Sequence, residues 1–410
     1  MTDVIDRPRG SGVRQFSPAL QRFLLATVVN MIGSSALFAF LFVYFHEIRG
    51  LTLGQAGVAV GVSSFAVMIL TPAAGSLTDR FGGRRVMTIG CLLSMAAGVA
   101  YAFVTTFPAA IVVSLLLGLG NALWWPAQSA LISVIVEPSQ RPAVMAWQRA
   151  ALNVGAALGG VVGGFLVHAE TLASFHALFA VNAATYALFL LVIPGLPHGR
   201  VDLDRTQHPP RFVEVLRDRF FVRLLLTDLS IALGFGYLWA FTPVYASSLG
   251  IDKVTIGILF TVGALSVALT QIPTLGWVSG GVRMKWLMVM NVWFVLGFAL
   301  MMCTPHVSAG IAVVVIGMAQ VCGGFGESVL GAVRQPLTSD LAPPALVGRY
   351  FGLAAMVFQA GMGSATAIGG LTLEWSPTGV WLVPLLASVG GLVGLQRIRH
   401  RIPGHAAISP

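Results

Sequence analysis

The stretch GSLTDRFGGRRV, residues 75–86, ends one long apolar run and precedes another. Its Gly82 and Gly83 permit a sharp turn, because glycine enters backbone conformations closed to other residues. Arg80, Arg84 and Arg85 resist transfer into lipid and hold the turn on one side of a membrane. Asp79 is the odd member. A carboxylate at the C-terminal end of a helix opposes that helix's own dipole, so it calls for the N-terminus of a neighbouring helix or a close arginine. The stretch predicts a tight basic turn between two membrane-spanning helices.

The same alternation fills the rest of the chain. Of 410 residues, 56% are hydrophobic and only 10% charged, and the mean hydropathy is +0.85. A globular composition carries about a quarter charged residues, so a soluble fold is excluded. Apolar runs place spans at 22–45, 54–77, 86–105, 109–135, 143–168 and 173–193, then at 220–246, 254–277, 286–303, 309–335, 350–372 and 379–396. Each must be helical, since lipid offers no partner to unpaired backbone groups. The expected class is an all-α membrane protein with twelve transmembrane helices.

Net charge +9 could suit nucleic acid, but 22 of the 24 Lys and Arg residues lie in or beside segments on one side, and only Arg49 and Lys253 on the other. That asymmetry marks the basic side as cytoplasmic, with both termini there, and no nucleic-acid partner is expected. Residues 1–21 are expected to be a polar tail and not a cleavable leader, because the apolar run that follows is too long and lacks a small-residue cleavage site. Cys91, Cys303 and Cys322 all fall in apolar runs and read as buried hydrophobes, with no disulfide or metal expected. His46, His168, His176 and His306 fall near span ends without HExxH spacing, and no nucleotide-binding loop occurs, so neither an enzyme nor an ATP-driven pump is expected.

The chain reads as two diverged copies. Pro126, Arg141 and Gly163-Gly164 are separated by 15 and 22 residues, and Pro336, Arg349 and Gly369-Gly370 by 13 and 20. Chance likeness between glycine-rich apolar stretches is the other explanation. The expected organisation is a tail 1–21, a six-helix bundle 22–193, a Pro-rich charged loop 194–219, a second bundle 220–396 and a tail 397–410, with a substrate site at the midplane between the bundles.

Gly75, Leu77, Asp79, Arg80, Gly82, Arg84 and Arg85 resemble the loop motif of the major facilitator superfamily, Gly-x-Leu-x-Asp-Arg-x-Gly-x-Arg-Arg, at every principal position. The resemblance implies two pseudo-symmetric six-helix bundles that give alternating access to a central cavity. It also implies that Asp79 docks on the N-terminus of span eleven, around Gly348 and Arg349, in the outward-open state, and that a motif arginine pairs with Glu137. The matching turn in the second half, GWVSGGVRMK from Gly276 to Lys285, lacks the acid, which makes this latch one-sided.

In span five, Asn153, Gly155, Gly159, Gly160, Gly163 and Gly164 step by four residues, so Gly155, Gly159 and Gly163 share one face. The pattern resembles the span-five motif of the twelve-span drug–proton antiporter branch, with Gly160 where that motif has proline. Static packing and a gate both fit it. The branch's span-four arginine is absent, Ser114 standing four residues before Gly118.

An ionisable group at depth costs at least about 2.5 kcal/mol. Asp228 in span seven and Glu327 in span ten qualify, as does Arg149 about two turns into span five. Apolar surroundings favour an uncharged carboxyl, which suits proton uptake and release. Two readings stand for each group. Asp228 either carries protons or snorkels to Arg223, Glu327 either couples transport or pairs statically with Arg334, and Arg149 either snorkels or faces an acid across the cavity. Asn30, Asn121, Trp124, Gln128, Tyr237, Trp239 and Gln359 are the expected cavity lining. One deep arginine does not suit a phosphorylated or dicarboxylate substrate. The expectation is a monomeric, cofactor-free, proton-coupled exporter of amphipathic compounds in a bacterial inner membrane. An exporter of a specific metabolite (amino acid, sugar or natural product), a proton-symport importer and, in third place, a membrane enzyme or channel are the alternatives.

Overall fold

The computed structural model describes residues 16–137, 140–196, 212–343, 346–376 and 378–409. The N-terminal tail to residue 15 and most of the expected central loop lie outside them.

Twelve helices longer than sixteen residues occur among the described residues. They are α1 (Pro18–Val43, extended by a π-helical turn Tyr44–Ile48), α2 (Leu53–Phe81), α3 (Gly83–Tyr101), α4 (Phe107–Ile135), α5 (Arg141–Val167) and α6 (Leu172–Val192), then α7 (Arg219–Ser248), α8 (Lys253–Val278), α9 (Arg283–Cys303), α10 (Ala309–Leu341), α11 (Val347–Trp375) and α12 (Leu382–Ile398). Eleven are long and apolar enough to cross a membrane; α3 falls short because Arg84 and Arg85 occupy its first turn. A five-residue helix, Phe212–Leu216, precedes α7.

The starts are set by local chemistry. The side chains of Thr52, Thr106, Thr171, Asp218 and Asp252 each accept a hydrogen bond from a backbone N–H in the first turn that follows, satisfying donors that a helix cannot pair itself. Gly82 turns the chain between α2 and α3 at φ +83°, a conformation that disfavours any residue with a Cβ.

The packing repeats six helices on. α1 packs against α5 and α6, α4 against α2 and α3, and α3 against α6; α7 packs against α11 and α12, α10 against α8 and α9, and α9 against α12. Across the two sets, α2 meets α11, α5 meets α8 and α1 meets α7. Prolines 72 and 126 sit inside α2 and α4, and prolines 273 and 336 inside α8 and α10.

At the side away from most of the arginines, the two sets close tightly. A Cβ on Gly160 of α5 would sit 2.8 Å from the Gly257 carbonyl of α8, and one on Gly57 of α2 would sit 3.0 Å from the Gly370 Cα of α11. Around these contacts Lys253 Nζ donates to Glu47 at 2.7 Å and lies 3.8 Å from Glu170, while Gly54 N–H donates to Glu374 at 2.8 Å.

On the basic side the C-terminal residues fold back. Gly280 N–H donates to the Ser409 carbonyl at 3.0 Å and Ser409 N–H to the Gly281 carbonyl at 2.9 Å, clasping the turn between α8 and α9. The structure corrects one cysteine expectation. Cys91 and Cys322 are buried, but Cys303, at the very end of α9, is exposed.

Candidate functional site

Two adjoining chambers lie between the sets of helices. The larger, about 460 Å³, is lined by residues of α1, α4, α5, α7, α8, α10 and α11, among them Trp125, Arg149, Asp228, Phe235, Glu327 and Arg334. It reaches toward the basic side, where Gln335, Thr338, Phe351 and Ala354 line it near the ends of α10 and α11. The smaller, about 280 Å³, includes Asn30, Ser35, Asn121, Trp124, Asn182 and Tyr186 in its lining and has no charged side chain. Met31, Trp125, Leu152, Phe235 and Trp239 belong to both.

The four charged side chains form two ion pairs. Arg149 Nη2 donates to Glu327 Oε1 at 3.0 Å, joining α5 to α10, and the two side chains are 45% and 15% exposed. The pair crosses between the sets, with Arg149 half-exposed to the cavity and Glu327 largely buried. Arg334 Nε donates to Asp228 Oδ2 at 2.6 Å, joining α10 to α7 within one set. Arg334 also donates to Thr338 Oγ1 and lies 5.5 Å from the Phe221 ring centre, so this pair is enclosed.

These partners differ from both static readings, which paired Glu327 with Arg334 and Asp228 with Arg223. Depth explains the exchange. At about 1.5 Å per residue, Asp228 stands roughly 14 Å from the start of α7 and Arg334 roughly 10 Å from the end of α10, whereas Glu327 is about two turns deeper. Asp228 therefore meets Arg334 at its own level, and Glu327 is left to the cation reaching in from α5.

Of the other expected lining residues, Asn30, Asn121, Trp124 and Trp239 border a chamber. Gln128, Tyr237 and Gln359 do not. Gln128 and Tyr237 are fully buried in helix packing, and Gln359 follows Phe358, which holds the lining position on α11. Sequence reasoning missed Trp125, Phe235, Phe260 and Phe358. Phe235 and Trp239 are one turn apart and stacked, their ring centroids 5.4 Å apart, a spacing that could have flagged that face.

The span-five glycines divide between two neighbours. Gly155, Gly159 and Gly163 lie against α1, while Gly160 and Gly164 lie against α8. Asn153 lines the larger chamber. Gly160 occupies the motif's proline position at a point where any side chain would strike the α8 backbone.

In the basic turn, Asp79 is exposed and has no hydrogen-bond or ion-pair partner among the described residues. Cβ positions built on Gly75 and Gly348 meet nothing within 4 Å, so neither glycine packs against a neighbouring helix here. Arg80 lies 5.3 Å from the Phe81 ring centre, Arg84 donates to the Leu196 carbonyl at 3.1 Å, and Arg85 and Glu137 are exposed. The second half carries a charge pair that sequence reasoning missed. Arg283, at the start of α9, donates to Asp340, at the end of α10, at 2.6 Å.

Repeated helix packing, closure on one side and a partly charged cavity open toward the other define a polytopic membrane carrier. The chain belongs to the Major Facilitator Superfamily, whose family model matches residues 23–252 and 224–406. It is 25% identical over 366 residues to the uncharacterized MFS-type transporter YttB of Bacillus subtilis, covering 87% of this chain and 88% of that one. It is also 25% identical over 407 residues to the multidrug resistance protein MdtH of Aeromonas hydrophila subsp. hydrophila, covering 95% and 98%. Among solved structures, the fold is similar to a peptide transporter POT in complex with sulfate (TM-score 0.78, 18% identity, 97% of each chain). It is similar as well to the nucleoside transporter NupG (TM-score 0.72, 16% identity, 93% of this chain and 99% of that one).

Proposed function

We propose that this transporter is a proton-coupled exporter of small amphipathic or lipophilic compounds. In this reading two pseudo-symmetric six-helix bundles, residues 22–193 and 220–396, rock about the paired chambers, and the basic side faces the cytoplasm. The observation that carries the reading is the Arg149–Glu327 pair, which ties the bundles together inside the open cavity. A lipophilic cation entering from the basic side competes with Arg149 for the Glu327 carboxylate, while its apolar body occupies the aromatic, uncharged chamber. A proton arriving on Glu327 from the opposite side removes the charge that held the cation and releases it. Aromatic walls that can repack suit varied shapes, and the likeness to a multidrug resistance protein supports the same substrate class.

The driving force suffices. One charge moving down 100 mV supplies about 2.3 kcal/mol and one pH unit about 1.4 kcal/mol. At about 1.4 kcal/mol per tenfold, one proton exchanged for a neutral substrate sustains a gradient of several hundredfold, whereas one exchanged for a monovalent cation moves no net charge and sustains about tenfold per pH unit.

Proteoliposomes with an imposed pH gradient test the reading, with lipophilic cations screened against amino acids and sugars. The expected outcome is cation movement against proton flow, abolished in Glu327→Gln while the protein keeps its fold. Unchanged efflux in that variant would remove Glu327 from the mechanism, and sugar or amino-acid uptake alongside protons would replace export by symport.

A further inference from the structure

Outside the two chambers, on the flank formed by α7 and α12, runs a groove of about 460 Å³. Its walls are Leu226, Thr227 and Ser230 of α7 facing Ala387, Gly390 and Gly394 of α12. At the basic end stand Arg223, Arg397 and Arg401, all exposed and none paired with a carboxylate among the described residues. None of these three arginines borders a transport chamber.

We propose that the groove binds one anionic phospholipid from the leaflet on the basic side, its phosphate held by the three guanidinium groups and one acyl chain laid along the glycine floor. Three features favour a lipid over a soluble anion. The arginines close only one end of the groove, at the level where a headgroup sits, and the rest of the wall is apolar or carries small hydroxyls. The length fits: Ala387 to Ile398 spans eleven residues, roughly 16 Å at 1.5 Å per residue, against about 15 Å for half of the hydrocarbon core. The floor is vacant at Gly390, where a built Cβ meets nothing within 4 Å, and narrows at Gly391 and Gly394, whose Cβ positions would meet Ser230 and Thr227 of α7.

Arginine suits the role, because its planar fork binds phosphate oxygens in pairs and its charge persists at the membrane surface. The Arg397 charge lies in the last turn of α12, where it is held in place by the helix dipole. Thr227 lines the groove while its neighbour Asp228 lines the larger chamber, so a lipid seated here presses on the helix that carries the Asp228–Arg334 pair.

The test uses the purified full chain in neutral detergent, titrated with phosphatidylglycerol, with phosphatidylcholine of the same chains, or with glycerol 3-phosphate. Thermal unfolding and retained lipid by native mass spectrometry are the readouts. Expected is saturable stabilisation and one tightly retained lipid with phosphatidylglycerol only. Neutralising arginines singly (Arg223→Gln, Arg397→Gln, Arg401→Gln) should weaken binding about fivefold each, and together on the order of a hundredfold, from the attraction of each basic side chain to an anionic surface. Gly390→Leu fills the groove without altering charge and should abolish retention in a folded protein. Equal stabilisation by phosphatidylcholine or by glycerol 3-phosphate overturns the proposal. Undiminished phosphatidylglycerol binding in either the triple variant or Gly390→Leu does so too. If the triple variant fails to fold, the Gly390→Leu result and the headgroup comparison still decide.

Discussion

Glu327 and Arg149 approach from different halves of the chain, 178 positions apart, and meet at 3.0 Å with the arginine half-exposed to the cavity. The exposed arginine can exchange for another cation or for a proton on Glu327, which suits a contact that must be broken in every cycle. Arg149→Ala should leave substrate exchange intact while removing its acceleration by a pH gradient; counterflow measured beside gradient-driven flux separates the two. Asp228 and Arg334 are different. Both are at least nine-tenths buried as residues, and removing one partner strands a charge. Arg334→Met should therefore destabilise the protein by about 3–5 kcal/mol, and the Asp228→Leu/Arg334→Met double variant should recover most of it. Detergent melting curves report both, and strictly additive losses would mean that the side chains are not coupled. The sequence marked Asp228, Glu327 and Arg149 by their depth in apolar runs, and Arg334 only as a candidate partner of Glu327. It could not pair them, because a residue's position along its own helix says nothing about which helix stands opposite.

Among the helices, α5 is the informative one. Its four-residue glycine step was readable, but not that one face serves α1 and the other α8. Gly160→Val should wedge α5 from Gly257 and bias the protein toward opening on the side now closed. In a background lacking Cys303, Asn121→Cys should then react faster with an impermeant maleimide supplied to that side. Lys253→Met acts at the same closure by freeing Glu47 from its cation, and the same assay should shift in the same direction. Asp252, the cap of α8, accepts hydrogen bonds from the Thr255 N–H at 2.9 Å and the Thr255 hydroxyl at 2.6 Å, which hold its carboxyl below the usual carboxylate range. A group lowered in this way contributes above its unfolded value near 3.9 and loses the contribution as pH falls through the lowered one. The α8 cap should thus persist through neutral and mildly acidic conditions, and Asp252→Ala should cost about 1 kcal/mol at pH 7. The second-half pair Arg283–Asp340 was not legible because its acid sits at the end of α10, 57 positions from the arginine and outside the turn between α8 and α9.

At the scale of the molecule, helix number and placement were close to fully legible, since apolar length is a property of the chain alone. The exception, α3, follows from arginines that the turn requires and that lower the hydropathy of the helix they begin. The state of the molecule was not legible. Asp79 is exposed and without a partner among the described residues while the far side is shut, an arrangement set by the balance between two closures and not by any local motif. If Asp79 docks when the basic side closes, Asp79→Asn should deepen the bias toward the present form, and maleimide labelling of Asn121→Cys from the far side should slow. The far-side closure itself is made where glycines bring backbone against backbone, Gly57 on Gly370 and Gly164 on Gly257. Beside these glycine surfaces, aromatic rings cross the same closure, the buried Phe42 of α1 against Phe241 of α7 with centroids 5.0 Å apart and Phe38 against Trp239 at 6.1 Å. Opening must therefore unmesh aromatic side chains as well as break the electrostatic locks, and cooling should slow Phe42→Ala less than the parent protein.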